Sequence, residues 1–197
     1  MALRRGFKAE AERLAVATRR DMGLDAVAKL DPWQLAKFLA IPVVSMGALA
    51  AAQDDHDLDE AVRVLKEDEQ EAVSALTVIR GSKRMIVYNE SHDPARSAND
   101  LAHEAGHGLL LHMPAPALDL QGCRVWNGDH EDEASYLGGA LLVPKEAALL
   151  VARRQIPLAD AAAMYGCSEQ LMRWRVNITG AGLRNRPGPR QTASSPA

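Results

Sequence analysis

The chain has 197 residues, of which 47% are hydrophobic and 25% charged, with a formal net charge of −3. This composition is typical of a folded globular domain, and it excludes a disordered, collagen-like or disulfide-scaffold protein. No apolar run reaches membrane-spanning length, and no apolar stretch follows the N-terminal basic residues as it would in a secretory signal.

The cysteines indicate the cellular compartment, and the charge distribution indicates what kind of partner the chain can bind. The two cysteines, Cys123 and Cys167, lie far apart without metal-binding spacing, so we expect packed thiols in a reducing cytoplasm. Residues 151–197 carry seven arginines against one aspartate and one glutamate, a net charge of +5, which leaves −8 on residues 1–150. The basic end fits either an acidic or nucleic-acid partner or a plain solvated surface.

The N-terminal part predicts two helices and a strand. Residues 8–22 carry small and apolar side chains at helical spacing. Asp31 and Pro32 are typical of a helix start, with proline at the first helical position. The short β-branched stretch 41–45 predicts a strand, which Pro42 places at a sheet edge.

An acidic stretch and a hairpin follow. Residues 53–59 lack the glycine and terminal glutamate of a calcium loop, so we expect a solvated loop there. Residues 73–79 and 85–88 are apolar and partly β-branched, with turn residues between them, which predicts an antiparallel hairpin. We expect the strand at 85–88 to bind an extended substrate along its edge.

The next helix, predicted from Pro94 to about His112, contains the sequence His103-Glu104-Ala105-Gly106-His107. Positions four apart lie on one helix face, so His103 and His107 can bind one ion. Glu104 lies beside them, where it reaches a water on that ion. This is the H-E-x-x-H pattern of zinc peptidases.

A catalytic zinc site normally has three protein ligands and one open position. The metzincin extension would need glycine at position 110 and histidine at position 113, but this chain has Leu110 and Met113. His112, five residues after His107, is turned off the ligand face. The third ligand must therefore come from another element.

The predicted helix 129–142 offers that ligand. Glu133 lies four residues before Leu137 on the apolar face, so we expect it to point inward and bind the metal together with His103 and His107. Glu131 is the main alternative. The small residues at 138–140 would let this helix pack closely on the metal helix.

The remaining roles are less determined by the sequence. Glu104 is the predicted general base. Asp100, one turn before it, is a candidate to orient His103, or serves only the helix N-terminus. An oxyanion donor is left open among three aromatic residues: Tyr88, His130 and Tyr136.

The C-terminal part predicts a helix at 145–154 and then two short helices, 158–165 and 169–177, joined by a glycine-containing turn. This arrangement is similar to a helix-turn-helix. Arg175 occupies a position that is usually apolar in that motif, so DNA binding is possible but not favoured. Residues 184–197 predict a disordered tail.

Three segments resemble the ImmA/IrrE family of metallopeptidases: the H-E-x-x-H sequence, Glu131-Asp132-Glu133-Ala134, and Ala140-Leu141-Leu142-Val143-Pro144. Residues 5–11 and the helix that starts at Asp31-Pro32 are also similar, so the resemblance covers residues 4–180. The resemblance implies a small gluzincin-like fold, zinc bound by two histidines and a glutamate, and proteolysis, often of a helix-turn-helix repressor. Where the family often has Asn or Asp after Glu-Ala, this chain has Ser135.

We therefore predict an α+β protein. A mostly helical peptidase domain with a small antiparallel sheet (1–150) precedes a helix-turn-helix-like segment (151–183) and a tail (184–197). The expected function is that of a cytoplasmic Zn²⁺-dependent endopeptidase that cleaves a protein partner such as a transcriptional repressor, with no membrane association. Mn²⁺ also suits the ligands. The alternative is a DNA-binding or sensory regulator that keeps the metal site without turnover.

Overall fold

The computed structural model describes residues 3–51, 74–81, 83–112 and 127–184. The predictions for the acidic loop, for Cys123 and for the tail from residue 185 onward lie outside these ranges. The elements in chain order are α1 (Phe7–Asp21), α2 (Pro32–Phe38), β1 (Val43–Ser45), α3 (Met46–Ala51), β2 (Ala75–Arg80), β3 (Lys83–Tyr88), α4 (Pro94–Leu109), α5 (Gly128–Leu142), α6 (Lys145–Arg153), α7 (Leu158–Tyr165), α8 (Glu169–Ile178) and α9 (Ala181–Arg184).

The α+β class is confirmed, with helices forming most of the described chain. Within the described ranges no single helix is long and apolar enough to cross a membrane. Helices α5 and α6 reach that length and composition only together, as a pair bent by 57°.

The sheet has three strands in the order β1-β3-β2. The predicted hairpin is confirmed, because β2 and β3 pair antiparallel from Ala75↔Tyr88 to Arg80↔Lys83. Strand β1 lies at an edge as predicted, but it pairs parallel to β3. The sheet is therefore mixed, not antiparallel. A parallel pair requires a crossover connection, which the local sequence pattern does not reveal.

Capping residues set the starts of the helices around the site. The Asp31 carboxylate accepts a hydrogen bond from the Trp33 amide at 2.9 Å, and the Asp93 carboxylate accepts one from the Ala95 amide at 2.8 Å. Helix α4 ends at Leu109, before the predicted His112, because the chain turns at Leu111 with a φ of 54°. This turn directs His112 back toward the metal helix.

Helices α4 and α5 pack against each other through glycines. A Cβ atom on Gly138 would lie 2.9 Å from the carbonyl carbon and oxygen of Ala102 and from the amide nitrogen of His103. A Cβ atom on Gly106 would lie 3.0 Å from the carbonyl oxygen of Ala134. The predicted close packing of the two helices is thus present, and it requires glycine on both sides of the contact.

One apolar cluster connects these helices to the rest of the described chain. Leu137 and Leu141 of α5 are fully buried, and the same cluster contains Phe7 of α1 and Met172 of α8. Burying a leucine or phenylalanine side chain contributes about 1.5–3 kcal/mol. The core therefore fixes α5 from both the N-terminal and the C-terminal part of the chain.

Helix α7 and the turn after it lie where predicted, and α8 ends at Ile178, one residue later than predicted. Gly166 has a φ of 66°, and the Ser168 hydroxyl accepts a hydrogen bond from the Leu171 amide at 3.1 Å. Arg175 of α8 is fully buried and donates to the Val143 carbonyl at 2.7 Å and to Glu12 of α1 at 2.8 Å. Helix α8 thus packs on the core that carries the metal helix.

Candidate metal centre

Two histidine side chains of α4 meet at one point. The Nε2 atoms of His103 and His107 lie 3.0 Å apart, with the ring centroids separated by 4.7 Å. Helical spacing of four residues places both rings on the same face, as predicted. The two side chains are 24% and 15% exposed, so they are shielded but reachable from solvent.

Glu131 of α5 completes the cluster. Its Oε2 lies 3.2 Å from His103 Nε2, and its Oε1 lies 3.4 Å from His107 Nε2. One donor atom from each of the three side chains lies within 4.8 Å of the others. Two imidazole nitrogens and a carboxylate oxygen form the ligand set of a catalytic zinc site with an open position.

Glu133 does not join this cluster, which corrects the expectation that it is the third ligand. Its Oε1 accepts a hydrogen bond from Arg4 Nε at 2.8 Å, and its Oε2 lies 3.3 Å from His112 Nε2. Residues two apart on a helix point in roughly opposite directions, so one helix cannot present both Glu131 and Glu133 to the same ion.

The physical reason lies in how α5 faces α4. Glu131, Ser135 and Gly138 share one helix face, and Gly138 marks the closest approach to α4. Leu137 and Leu141 point into the core from a different face of α5, and Glu133 lies on that face because it is four and eight residues before them. The face that meets the metal helix is therefore marked by small and polar residues, not by the apolar stripe.

The surroundings of His107 and Glu131 favour the protonation states that metal binding needs. Burial lowers the pKa of His103, but the hydrogen bond with Glu131 and the nearby carboxylates raise it above its ordinary value. Burial, together with the neighbouring His103, lowers the pKa of His107 to about 4, so this imidazole is neutral at pH 7. The hydrogen bond with His103 holds the pKa of Glu131 below its ordinary value, so this carboxyl is ionised. Neutral imidazole and ionised carboxylate are the metal-binding forms of these side chains.

The IrrE N-terminal-like domain, Peptidase_M78, matches this chain over residues 58–177. The chain belongs to this family. The matched range is more than half of the chain, and it contains both histidines, Glu104 and Glu131. Searches of curated proteins and of solved structures gave no match. The predicted family is thus confirmed, and the chain carries a metallopeptidase domain.

Glu104, which lies beside the cluster of His103, His107 and Glu131, faces the sheet. The Thr77 hydroxyl of β2 donates a hydrogen bond to Glu104 Oε2 at 2.5 Å. Burial raises the pKa of the Glu104 carboxyl above its ordinary value, and the Thr77 hydrogen bond opposes that rise. Thr77 was not predicted, because a strand residue 27 positions earlier gives no local signal of this contact.

The non-metal nitrogens of the two histidines have different partners. His103 Nδ1 lies 3.2 Å from the Ser135 hydroxyl, at the position where the family often has Asn or Asp. Asp100, one of the candidates to orient His103, is half-buried and hydrogen-bonded to Ser74. His107 Nδ1 lies 3.0 Å from His112 Nδ1, a contact that the sequence analysis did not predict.

The structure separates the three candidate oxyanion donors. Tyr136 is 3% exposed, and its hydroxyl donates to Glu12 at 3.1 Å inside the core, so it is not available to substrate. Tyr88 packs edge-to-face on Trp33 with centroids 6.1 Å apart. His130 stacks on His112, one residue from Glu131, and of the three it is the one beside the cluster.

Proposed function

We propose that this protein is a zinc-dependent endopeptidase that cleaves a specific protein partner, such as a helix-turn-helix transcriptional repressor. The convergence of His103, His107 and Glu131 beside Glu104 is the observation that supports this most strongly. Family membership supports peptide-bond hydrolysis, and the resemblance to ImmA/IrrE peptidases motivates a repressor as substrate. Mn²⁺ is the alternative ion, because imidazole and carboxylate suit several metals.

A bound Zn²⁺ would supply Lewis-acid chemistry, lowering the pKa of a water molecule and polarising the scissile carbonyl. The protein's own residues do the rest. Glu104 takes a proton from the attacking water and delivers it to the leaving amine nitrogen as the C–N bond breaks. The Thr77 hydrogen bond holds the Glu104 carboxylate in position for both transfers.

The sheet suggests where the substrate lies. Both neighbours of β3 are strands, so the expectation that residues 85–88 bind substrate along their edge is wrong. Strand β2 is paired on one side by β3 and is an edge strand of the described sheet. Since Thr77 of β2 contacts Glu104, a peptide added to the free edge of β2 would pass the general base.

Metal analysis combined with cleavage assays tests this proposal. Wild type and Glu104→Gln should each bind one Zn²⁺, but only wild type should cleave helix-turn-helix repressors encoded beside its gene, as read by mass spectrometry. Glu131→Gln should lose the metal and the activity together. Wild type that binds no Zn²⁺, or a Glu104→Gln variant that still cleaves, would contradict the proposal.

The alternative function is a DNA-binding or sensory regulator without turnover. Helix α8 carries two arginines, of which Arg175 is buried and Arg173 pairs with Glu169 at 2.5 Å. These contacts favour a structural role for α8. A salt-dependent shift of duplex DNA by the purified protein, without cleavage of any repressor, would instead support the regulator.

A further inference from the structure

His112 lies directly behind the ligand His107. Its side chain is 8% exposed, and its Nδ1 is 3.0 Å from His107 Nδ1. The backbone around it is held at both ends: the His112 amide donates to the His107 carbonyl at 3.1 Å, and Arg84 donates to the His112 carbonyl at 3.0 Å. The His112 imidazole is therefore buried on a backbone that hydrogen bonds hold in place.

The contact continues away from the metal cluster. His112 Nε2 lies 3.3 Å from Glu133 Oε2, and Glu133 Oε1 accepts a hydrogen bond from Arg4 Nε at 2.8 Å. The Glu133 side chain is 12% exposed. His130 stacks on the His112 ring, with the ring planes 7° apart and the centroids separated by 4.1 Å, which shields one ring face from water.

Chemistry determines the direction of the hydrogen bonds in this chain of contacts. A metal at His107 Nε2 leaves the proton of the neutral ring on Nδ1, which then donates to His112 Nδ1. His112 must accept there, so its own proton lies on Nε2 and is donated to Glu133. Glu133 accepts from His112 and Arg4, as an ionised carboxylate does.

We propose that His112, Glu133 and Arg4 are positioning residues for the metal ligand His107. We call these three residues the relay. The relay fixes the ring orientation and tautomer of His107, and the Glu133 carboxylate makes His107 Nε2 more electron-rich. This inference rests on the proposed metal site. His103, whose Nδ1 meets the neutral Ser135 hydroxyl, lacks such a carboxylate, so the two histidines are unequal ligands.

Zinc affinity of substituted proteins, measured by competition with a chromophoric chelator, tests the relay. His112→Leu removes both hydrogen bonds and should weaken Zn²⁺ binding about 10- to 100-fold. His112→Asn keeps an acceptor close to the Nδ1 position and should restore part of that loss. Glu133→Gln should fall between wild type and His112→Leu. Asp129→Asn removes the same charge from an exposed site on the same helix and should bind as wild type does.

Three further readouts separate positioning from a general structural role. The absorption spectrum of the Co²⁺-loaded protein should shift in His112→Leu and Glu133→Gln but not in Asp129→Asn. Urea unfolding of the metal-free variants shows whether the fold itself is weakened. Nitrogen-15 NMR of the zinc-loaded wild type should find His112 protonated on Nε2, which needs no variant to fold.

The outcomes distinguish this inference from the proposed function. If wild type binds no Zn²⁺, the metal site itself fails. If wild type binds Zn²⁺ while His112→Leu and Glu133→Gln bind it equally well, the relay is refuted and the metal site stands. A His112 proton found on Nδ1 in the zinc-loaded protein would also overturn the relay.

Discussion

Gly138→Ala tests whether the contact between α4 and α5 places the third ligand. The added Cβ would lie 2.9 Å from backbone atoms of Ala102 and His103, whereas carbon contacts are optimal at about 3.5–4.0 Å. Because the obstacle is backbone and not a flexible side chain, the helices must separate by roughly 0.6–1 Å.

The expected magnitude combines two opposing effects. Overpacking of this kind costs about 1–3 kcal/mol, and replacing glycine by alanine inside a helix returns up to about 1 kcal/mol. The difference spans about 0–3 kcal/mol, and its middle, about 1–2 kcal/mol, is the expected loss in the free energy of unfolding of the metal-free protein. Metal–ligand distances tolerate only about 0.2 Å, so moving Glu131 from the histidines should also weaken Zn²⁺ binding at least tenfold.

Urea unfolding and chelator competition measure the two effects. Gly182→Ala is the matched control, because its added Cβ lies 4.0 Å from the nearest side-chain atom, in Val176. This control should keep wild-type zinc affinity and be at least as stable as wild type, because it gains the helix propensity of alanine without overpacking. If Gly138→Ala binds Zn²⁺ and unfolds as wild type does, the glycine contact does not position Glu131.

Three other predictions concern Thr77, Arg175 and Cys167. Thr77→Val should lower turnover about tenfold without releasing Zn²⁺, because Glu104 loses its hydrogen bond, and Thr77→Ser should restore turnover. Arg175→Met should cost about 3–5 kcal/mol of the free energy of unfolding, measured with urea, because the mostly buried Glu12 carboxylate then keeps only the neutral Tyr136 hydroxyl as a donor. A double variant with Glu12→Gln should lose less. Burial raises the pKa of the Cys167 thiol from 9.0 to about 11, so the unfolded chain loses this proton at a lower pH than the folded chain does. The free energy of unfolding should therefore fall as the pH rises from about 9 to 11. With the other cysteine replaced by serine, a thiol reagent at pH 8 should react rapidly only after unfolding.

Capping residues and helical spacing in the sequence predict most of the helices, including α4, which carries His103 and His107. Asp31 and Asp93 act as caps because a carboxylate followed by proline satisfies the free amides of a helix start. The spacing of His103 and His107 is itself a geometric statement about one helix face. These features depend on residues within one or two turns of each other, so the sequence alone contains them.

Features that depend on distant segments were predicted less well. The parallel pairing of β1 with β3 joins segments more than 40 positions apart, and nothing in either strand states its direction. Thr77 meets Glu104 only because the sheet packs on α4. The apolar pattern of α5 favours Glu133 as the inward-facing residue, but the face of α5 that meets α4 carries Glu131, Ser135 and Gly138.

Two buried arginines hold the C-terminal end of α5, one from α1 and one from α8. Arg19 of α1 donates to the Leu141 carbonyl at 2.7 Å, and Arg175 of α8 donates to the Val143 carbonyl at 2.7 Å. Both carbonyls lie at the C-terminal end of α5, where helix carbonyls lack partners and the helix dipole is negative. Helix α5 carries Glu131 near its other end, and a rigid helix transmits a shift of one end to the other. Arg175, the polar residue that weakens the helix-turn-helix pattern, is therefore a cap for the helix that carries Glu131.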